Sequence, residues 1–173
     1  FSSTLDSVDG WSAQSESQDE WMQIDLGRDQ LIRGIAIRRP AVESSEGRGY
    51  VTKVKVMIGL DAHSLHSVTG GVIETGLQGK KDYTTVQLQL PGSGVYGRVV
   101  RIVPLAWEGD EFAMRAAVIA DASAWPDHQV MDPSEDKRRY SSVLPSSPSW
   151  LNSNSKLTSP SAWTAAEMDG QWI

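Results

Sequence analysis

The chain has 173 residues, 39% hydrophobic and 22% charged, a composition of folded globular domains rather than of disordered chains. A formal net charge of −6 argues against nucleic acid as the partner, and no apolar run reaches the length of a membrane span. The absence of cysteine excludes disulfides, thiolate metal sites and cysteine nucleophiles.

The chain opens on Phe1 with no signal sequence ahead of it, and is read as a fragment or a processed piece whose targeting information lies elsewhere. From Glu20 to Ala120 the dominant period is two, the period of half-buried strands. Met22, Ile24 and Leu26 alternate with Gln23 and Asp25. Gly27 then punctuates the chain before a second candidate strand, Leu31 to Ile37. Tyr50 to Ile58 places Val54, Val56 and Ile58 inward and Lys53 and Lys55 outward. Thr84 to Leu90 is the cleanest alternation, and Arg98 to Val103 and Phe112 to Ile119 complete the set. Gly59, Gly70-Gly71, Pro91-Gly92 and Pro104 are the expected turns. Short half-polar strands without a helical stripe mean an all-β, antiparallel sandwich or barrel. Its expected core is Trp21, Ile24, Leu26, Val54, Val56, Val86, Leu88, Leu90, Val100 and Ile102.

After Asp121 the character changes. Two prolines and the mixed charge run Glu135-Asp136-Lys137-Arg138-Arg139 read as a linker over residues 122–139, and Tyr140 to Pro160 is expected to be irregular. An internal repeat cuts across this boundary. Phe1-Ser2-Ser3-Thr4-Leu5 recurs as Tyr140-Ser141-Ser142-Val143-Leu144, and Trp11-Ser12-Ala13 as Trp163-Thr164-Ala165. With one insertion, Asp19-Glu20-Trp21-Met22 recurs as Asp169-Gly170-Gln171-Trp172-Ile173. Three matches in the same order divide the chain into a sandwich over residues 1–121, the linker, and the opening of a second copy over residues 140–173. Trp163, Trp172 and Ile173 are then expected to contact a neighbouring domain, because they would otherwise expose a large apolar surface.

Few residues invite a chemical reading. Gly92-Ser93-Gly94-Val95-Tyr96-Gly97 fits a dinucleotide-binding pattern, but a β-rich segment follows instead of the required helix, so the glycines read as a hairpin turn. His63 and His66 beside Asp61 lack a third metal ligand and read as a solvated loop. No nucleophile, base and orienting group stand out, so no catalysis is expected. Arg101 and Arg115 are strand arginines, expected to be structural and to pair with Asp25. Trp11 is expected as a lid on the core, with a sugar- or lipid-facing platform as its alternative role. Arg38, Arg39, Arg48 and Tyr50 bracket a long polar excursion. Guanidinium forks and an aromatic face suit a carboxylate, a sulfate or a sugar, and the competing reading is a solvated loop with internal ion pairs.

These segments together resemble the discoidin, or coagulation factor 5/8 type C, family. Glu20-Trp21-Met22-Gln23-Ile24-Asp25-Leu26-Gly27 resembles its opening strand, and Ile32-Arg33-Gly34-Ile35-Ala36 and Tyr50-Val51-Thr52-Lys53-Val54-Lys55-Val56 resemble the next two. Arg98 to Pro104, Trp107 and Met114-Arg115-Ala116 resemble its closing segments. The resemblance covers residues 1–120 in family order and implies a galactose-binding-like jelly-roll with an irregular C-terminal extension in this chain. Such domains bind glycans, phospholipid or protein through loops at one end, which places Trp11, Arg38, Arg39, Arg48 and Tyr50 in the expected ligand site. The family often ties its termini with a disulfide, which this chain lacks. Carbohydrate-binding relatives commonly hold calcium with an Asp-Gly near the start and a Glu after the last-strand Arg. Asp9-Gly10 fits the first, but Ala117 stands at the second and removes a hard oxygen ligand, so no cofactor is expected.

Three functions fit this reading. The first is an extracellular binding or adhesion module of a tandem array, taking glycan or another surface ligand. The second is a structural repeat of a filament or assembly, partnered by neighbouring copies of the same domain. The third is an accessory domain of a larger secreted enzyme.

Overall fold

The structure, a computed structural model, describes residues 11–12, 19–39, 48–80, 84–109, 111–121 and 128–142. Its strands are β1 (Trp11–Ser12), β2 (Met22–Arg38), β3 (Arg48–Gly59), β4 (His66–Glu74), β5 (Thr85–Gln89), β6 (Val95–Glu108), β7 (Glu111–Asp121), β8 (His128–Met131) and β9 (Arg138–Tyr140). They form one hydrogen-bonded network ordered β1-β7-β2-β6-β3-β4, with β5 and β9 added on β2 and β8 added on β7.

The organising element is β2. The two strands expected on either side of Gly27 are one strand of 17 residues, and Gly27 sits within it at φ 77. The first part of β2 lies between β6 and β9, with Met22 opposite both Ile102 and Tyr140. Its second part lies between β5 and β7, with Ile35 opposite both Leu88 and Val118. Register shifts between Asp25 and Gln30, and between Ile32 and Gly34, mark where it passes from one set of partners to the other. Bulges bend a strand and strengthen its twist, and this is how a single strand serves both layers of a sandwich.

The core between the layers is aliphatic. Ile24 and Ile37 of β2, Val54 and Val56 of β3, and Val100 and Ile102 of β6 are completely buried. Leu26, Leu88 and Leu90 are buried as expected, whereas Val86 is only partly buried at the core's margin. Trp21 also departs from expectation. Its ring is half-buried and carries the Arg101 guanidinium 4.2 Å above its centroid, so it covers the sandwich rather than filling it.

Pro104, expected as a turn, lies within β6 opposite Val54, next to the register shift between Lys53 and Val54. A bulge is where a strand tolerates a residue that cannot donate to the ladder. Residues 91–94 make the expected turn, with Gly92 and Gly94 at positive φ, but the strands on either side, β5 and β6, each pair with β2. The turn therefore carries the chain across the sandwich instead of closing a hairpin.

The segment expected as a linker differs most. Within residues 122–139, β8 pairs with β7 and Arg138-Arg139 pair with β2, and Tyr140 ends the same strand. Arg138 anchors this return. Its guanidinium is completely buried, bridges to Asp132, and donates to the carbonyls of Ala116 (2.9 Å) and Pro133 (3.1 Å).

Candidate functional site

The expected ligand residues can now be placed. β2 ends on Arg38 with Arg39 just beyond it, and β3 delivers Tyr50 opposite Glu108 of β6. Tyr50 is 8% exposed, and its hydroxyl donates to the Glu108 carboxylate at 2.5 Å. That bond, burial and the Glu108 charge hold the phenol above its usual pKa, against the opposing charge of Arg39. The Arg39 guanidinium lies over the Tyr50 ring, 4.1 Å from its centroid, and donates to the Lys80 carbonyl at 2.9 Å. Arg38 points instead to β5, donating to Thr85 Oγ1 at 2.8 Å. Burial holds Arg38 below the usual guanidinium pKa, opposed by the charge of Asp132. Arg48 enters through its backbone, which pairs in parallel with Glu111 of β7.

The arrangement is an aromatic ring capped by a cation, with a carboxylate at its edge. Ring and carbonyl together restrain the Arg39 side chain, which lowers the entropy lost when it engages a ligand. Arg39 and Tyr50 thus come together, with Glu108 and Lys80, which sequence reasoning missed, while Arg38 is directed to Thr85 instead. Glu108 was findable in principle, because pairing β3 with β6 in register sets it opposite Tyr50. Lys80 was not, since it contributes only a carbonyl.

Trp11 does not join this set. Its side chain is completely buried, its ring stacks on Tyr140 at 5.2 Å, and its indole N–H donates to the Ser142 carbonyl at 2.7 Å. It is the lid on the core, and no ring face is left for a sugar or lipid. Asp9, Trp163, Trp172 and Ile173 lie outside the described residues.

The strand arginines are corrected as well. Asp25 pairs with Arg98, through contacts of 2.7 and 2.8 Å, and not with Arg101 or Arg115. Arg101 donates to Gln23 Oε1, at 2.8 Å from Nη2. Arg115 is completely buried and donates to the Arg39 carbonyl, fixing the backbone behind the candidate site.

Relatives that hold calcium have an acid where this chain has Ala117, whose side chain, buried with Ala36 and Ile119, supplies no oxygen. Among the described residues no group of three or more His, Asp or Glu is placed to hold a metal ion. The carboxylate of Asp61 caps its own turn, accepting from the amides of His63 and Ser64 at 2.8 Å each.

A cleft of about 440 Å³ lies toward the other end of β3 and β6, lined by Gln23, Asp25, Asp61, His63, Arg98 and Lys137 among others. Two of its cations are paired locally, Arg98 with Asp25 and Lys137 with Asp136, and Arg139 also lines it.

The architecture is that of a discoidin-type jelly-roll sandwich. The chain belongs to the F5/8 type C domain family, whose model matches residues 2–118. Domains of this family typically bind ligands such as phospholipids or glycans. Among similar proteins are neuropilin-1 of Mus musculus, 27% identical over 57% of this chain, and lactadherin of Rattus norvegicus, 32% identical over 58% of it. Neuropilin-1 of Gallus gallus is 24% identical over 95% of the chain. The chain spans 11%, 23% and 19% of these relatives' own lengths, respectively. Among the described residues no helix is long and apolar enough to cross a membrane.

Proposed function

We propose that the chain is a non-catalytic, extracellular binding module that takes glycan or another surface ligand at the end formed by Arg38, Arg39, Arg48 and Tyr50. The observation that carries this reading is the Arg39 guanidinium stacked on the Tyr50 ring. A cation held over an aromatic ring and hydrogen-bonded to the Lys80 carbonyl suits an anionic or polyhydroxyl partner. Family membership supports the same class of function. The test is binding of the intact chain to a glycan array and to vesicles with and without anionic lipid. Arg39→Ala with Arg48→Ala should weaken binding at least about tenfold, equivalent to 1.4 kcal/mol, with the melting temperature unchanged. Unchanged affinity in the double variant rejects this end as the site.

A second reading, a repeat in a tandem array or assembly, is favoured by a separate observation. The family match ends at residue 118, whereas similarity to neuropilin-1 of Gallus gallus extends over 95% of the chain. Together with the repeated segments, this supports residues 140–173 as the opening of a further unit. On this reading Trp163, Trp172 and Ile173 belong to an inter-domain contact.

A further inference from the structure

The repeat and the fold meet at one place. Tyr140, Ser141 and Ser142 seat against Trp11, Glu20 and Trp21, and each makes a different contact. The Tyr140 ring stacks on Trp11, 5.2 Å between centroids with the planes inclined at 22°. Ser141 is clasped by Trp21: its amide donates to the Trp21 carbonyl at 3.0 Å, and its hydroxyl oxygen accepts from the Trp21 amide at 2.8 Å. The Ser142 hydroxyl donates to the Glu20 carboxylate at 2.8 Å, and its carbonyl accepts from the Trp11 indole at 2.7 Å. The Ser141 hydroxyl also bonds Glu20.

Glu20 is 1% exposed. A carboxylate so enclosed needs donors close by, because a buried charge left without them is strongly destabilising. The socket therefore selects a segment with a ring followed by two hydroxyls. Aromatic-Ser-Ser occurs at two places in the chain, Tyr140-Ser141-Ser142 and Phe1-Ser2-Ser3, and Thr4-Leu5 matches Val143-Leu144 beyond it. Phenylalanine supplies the same stacking face.

We propose that the Trp11, Glu20 and Trp21 socket is a docking site for aromatic-Ser-Ser segments, and that Phe1-Ser2-Ser3 is its second occupant. Phe1-Ser2-Ser3 of one copy would then compete with Tyr140-Ser141-Ser142 for the socket of another. Edge segments exchanged in this way link units head to tail. The inference rests on the repeat and the socket, not on the Arg39 end, so loss or retention of ligand binding there leaves it untouched.

The test removes both aromatic-Ser-Ser segments from the full chain by replacing residues 1–3 and 140–142 with alanine. Labelled peptides of residues 1–8 and 138–145 are then titrated against it by fluorescence anisotropy. Both should bind, with affinities within about tenfold of each other. The same peptides with their paired serines changed to alanine should not. Binding of the second peptide without the first, or of neither to a variant whose circular dichroism shows it folded, overturns the proposal. If that variant does not fold, hydrogen exchange in the parent decides. Excess peptide 1–8 should speed exchange of the Ser141 amide by displacing the native segment, and unchanged exchange overturns the proposal.

Discussion

Gly34 shows how tightly the paired strands β2 and β5 approach at one backbone position. It lies on β2 between β5 and β7, just past a register shift. A Cβ there would stand 2.2 Å from the Leu88 carbonyl oxygen, and backbone cannot swing away as a side chain can. Gly34→Ala should therefore force β5 off β2 and cost about 1–3 kcal/mol, read as a lower urea midpoint at unchanged slope. A variant as stable as the parent would show that β5 is loosely held. Asp25 makes a different prediction. Its pKa is lowered chiefly by the hydrogen bond from Arg98, then by the Gly27 amide and nearby cations, with burial opposing. A carboxyl whose folded pKa lies below its unfolded value adds stability that is present above about pH 4 and is lost as pH falls through the folded pKa. Asp25→Asn should thus narrow the gap between urea midpoints at pH 7 and pH 3, and an unchanged gap would rule the pair out as a contributor. The partner of Asp25 was not legible in the sequence. Arg98 and Arg101 lie on one strand, and only the β2–β6 register, with Asp25 opposite Val99 and Gln23 opposite Arg101, assigns one arginine to each.

At the scale of elements, what the sequence disclosed depended on burial on one face. β3 and β6 pack one apolar face against the core, and period two reveals them, whereas β7 is buried on both faces and shows as an apolar run. β4 is an edge strand whose residues are mostly exposed, so it carries no alternation, and Gly70-Gly71 read as a turn although they lie inside it. β8 and β9 are short additions to β7 and β2, held less by apolar pattern than by one buried side chain. Charge runs usually mark solvent, but here Arg138 is the charge that goes inside, a choice tertiary context makes. Arg138→Ala should cost about 3–5 kcal/mol, because it removes the cation that balances Asp132 and the donors to the Ala116 and Pro133 carbonyls. Denaturation by urea measures it. A loss below about 1 kcal/mol would mean that the return strand contributes little to the native state. The candidate site follows the same rule. Arg38, Arg39 and Tyr50 stood out as residue types flanking a polar loop, while Glu108, Lys80 and the Arg115 buttress became visible only once strands were paired.

Over the whole molecule, the sandwich extends beyond Asp121 among the described residues. The first part of β2 is bordered by β6 on one side and β9 on the other, and β7 is bordered by β8. Trp11 is buried with Tyr140 stacked on it and Ser142 accepting from its indole. A chain ending at Asp121 would lose β8, β9 and the buried arginine at once, and would expose the Trp11 ring together with the edge of β2 at Met22 to Ile24. Exposing a buried tryptophan side by itself forfeits about 3 kcal/mol, and for a domain of this size each kcal/mol corresponds to about 2–4 °C. Truncation after Asp121 should accordingly lower the melting temperature by at least about 10 °C or abolish cooperative melting. Truncation after Ser142 keeps every one of these contacts and should melt within about 2 °C of the parent. Calorimetry on the two truncated chains and the parent checks both expectations. If ending at Ser142 also lowers the melting temperature by several degrees, residues 143–173 pack on the sandwich too. If ending at Asp121 has no effect, the unit closes without its return strands.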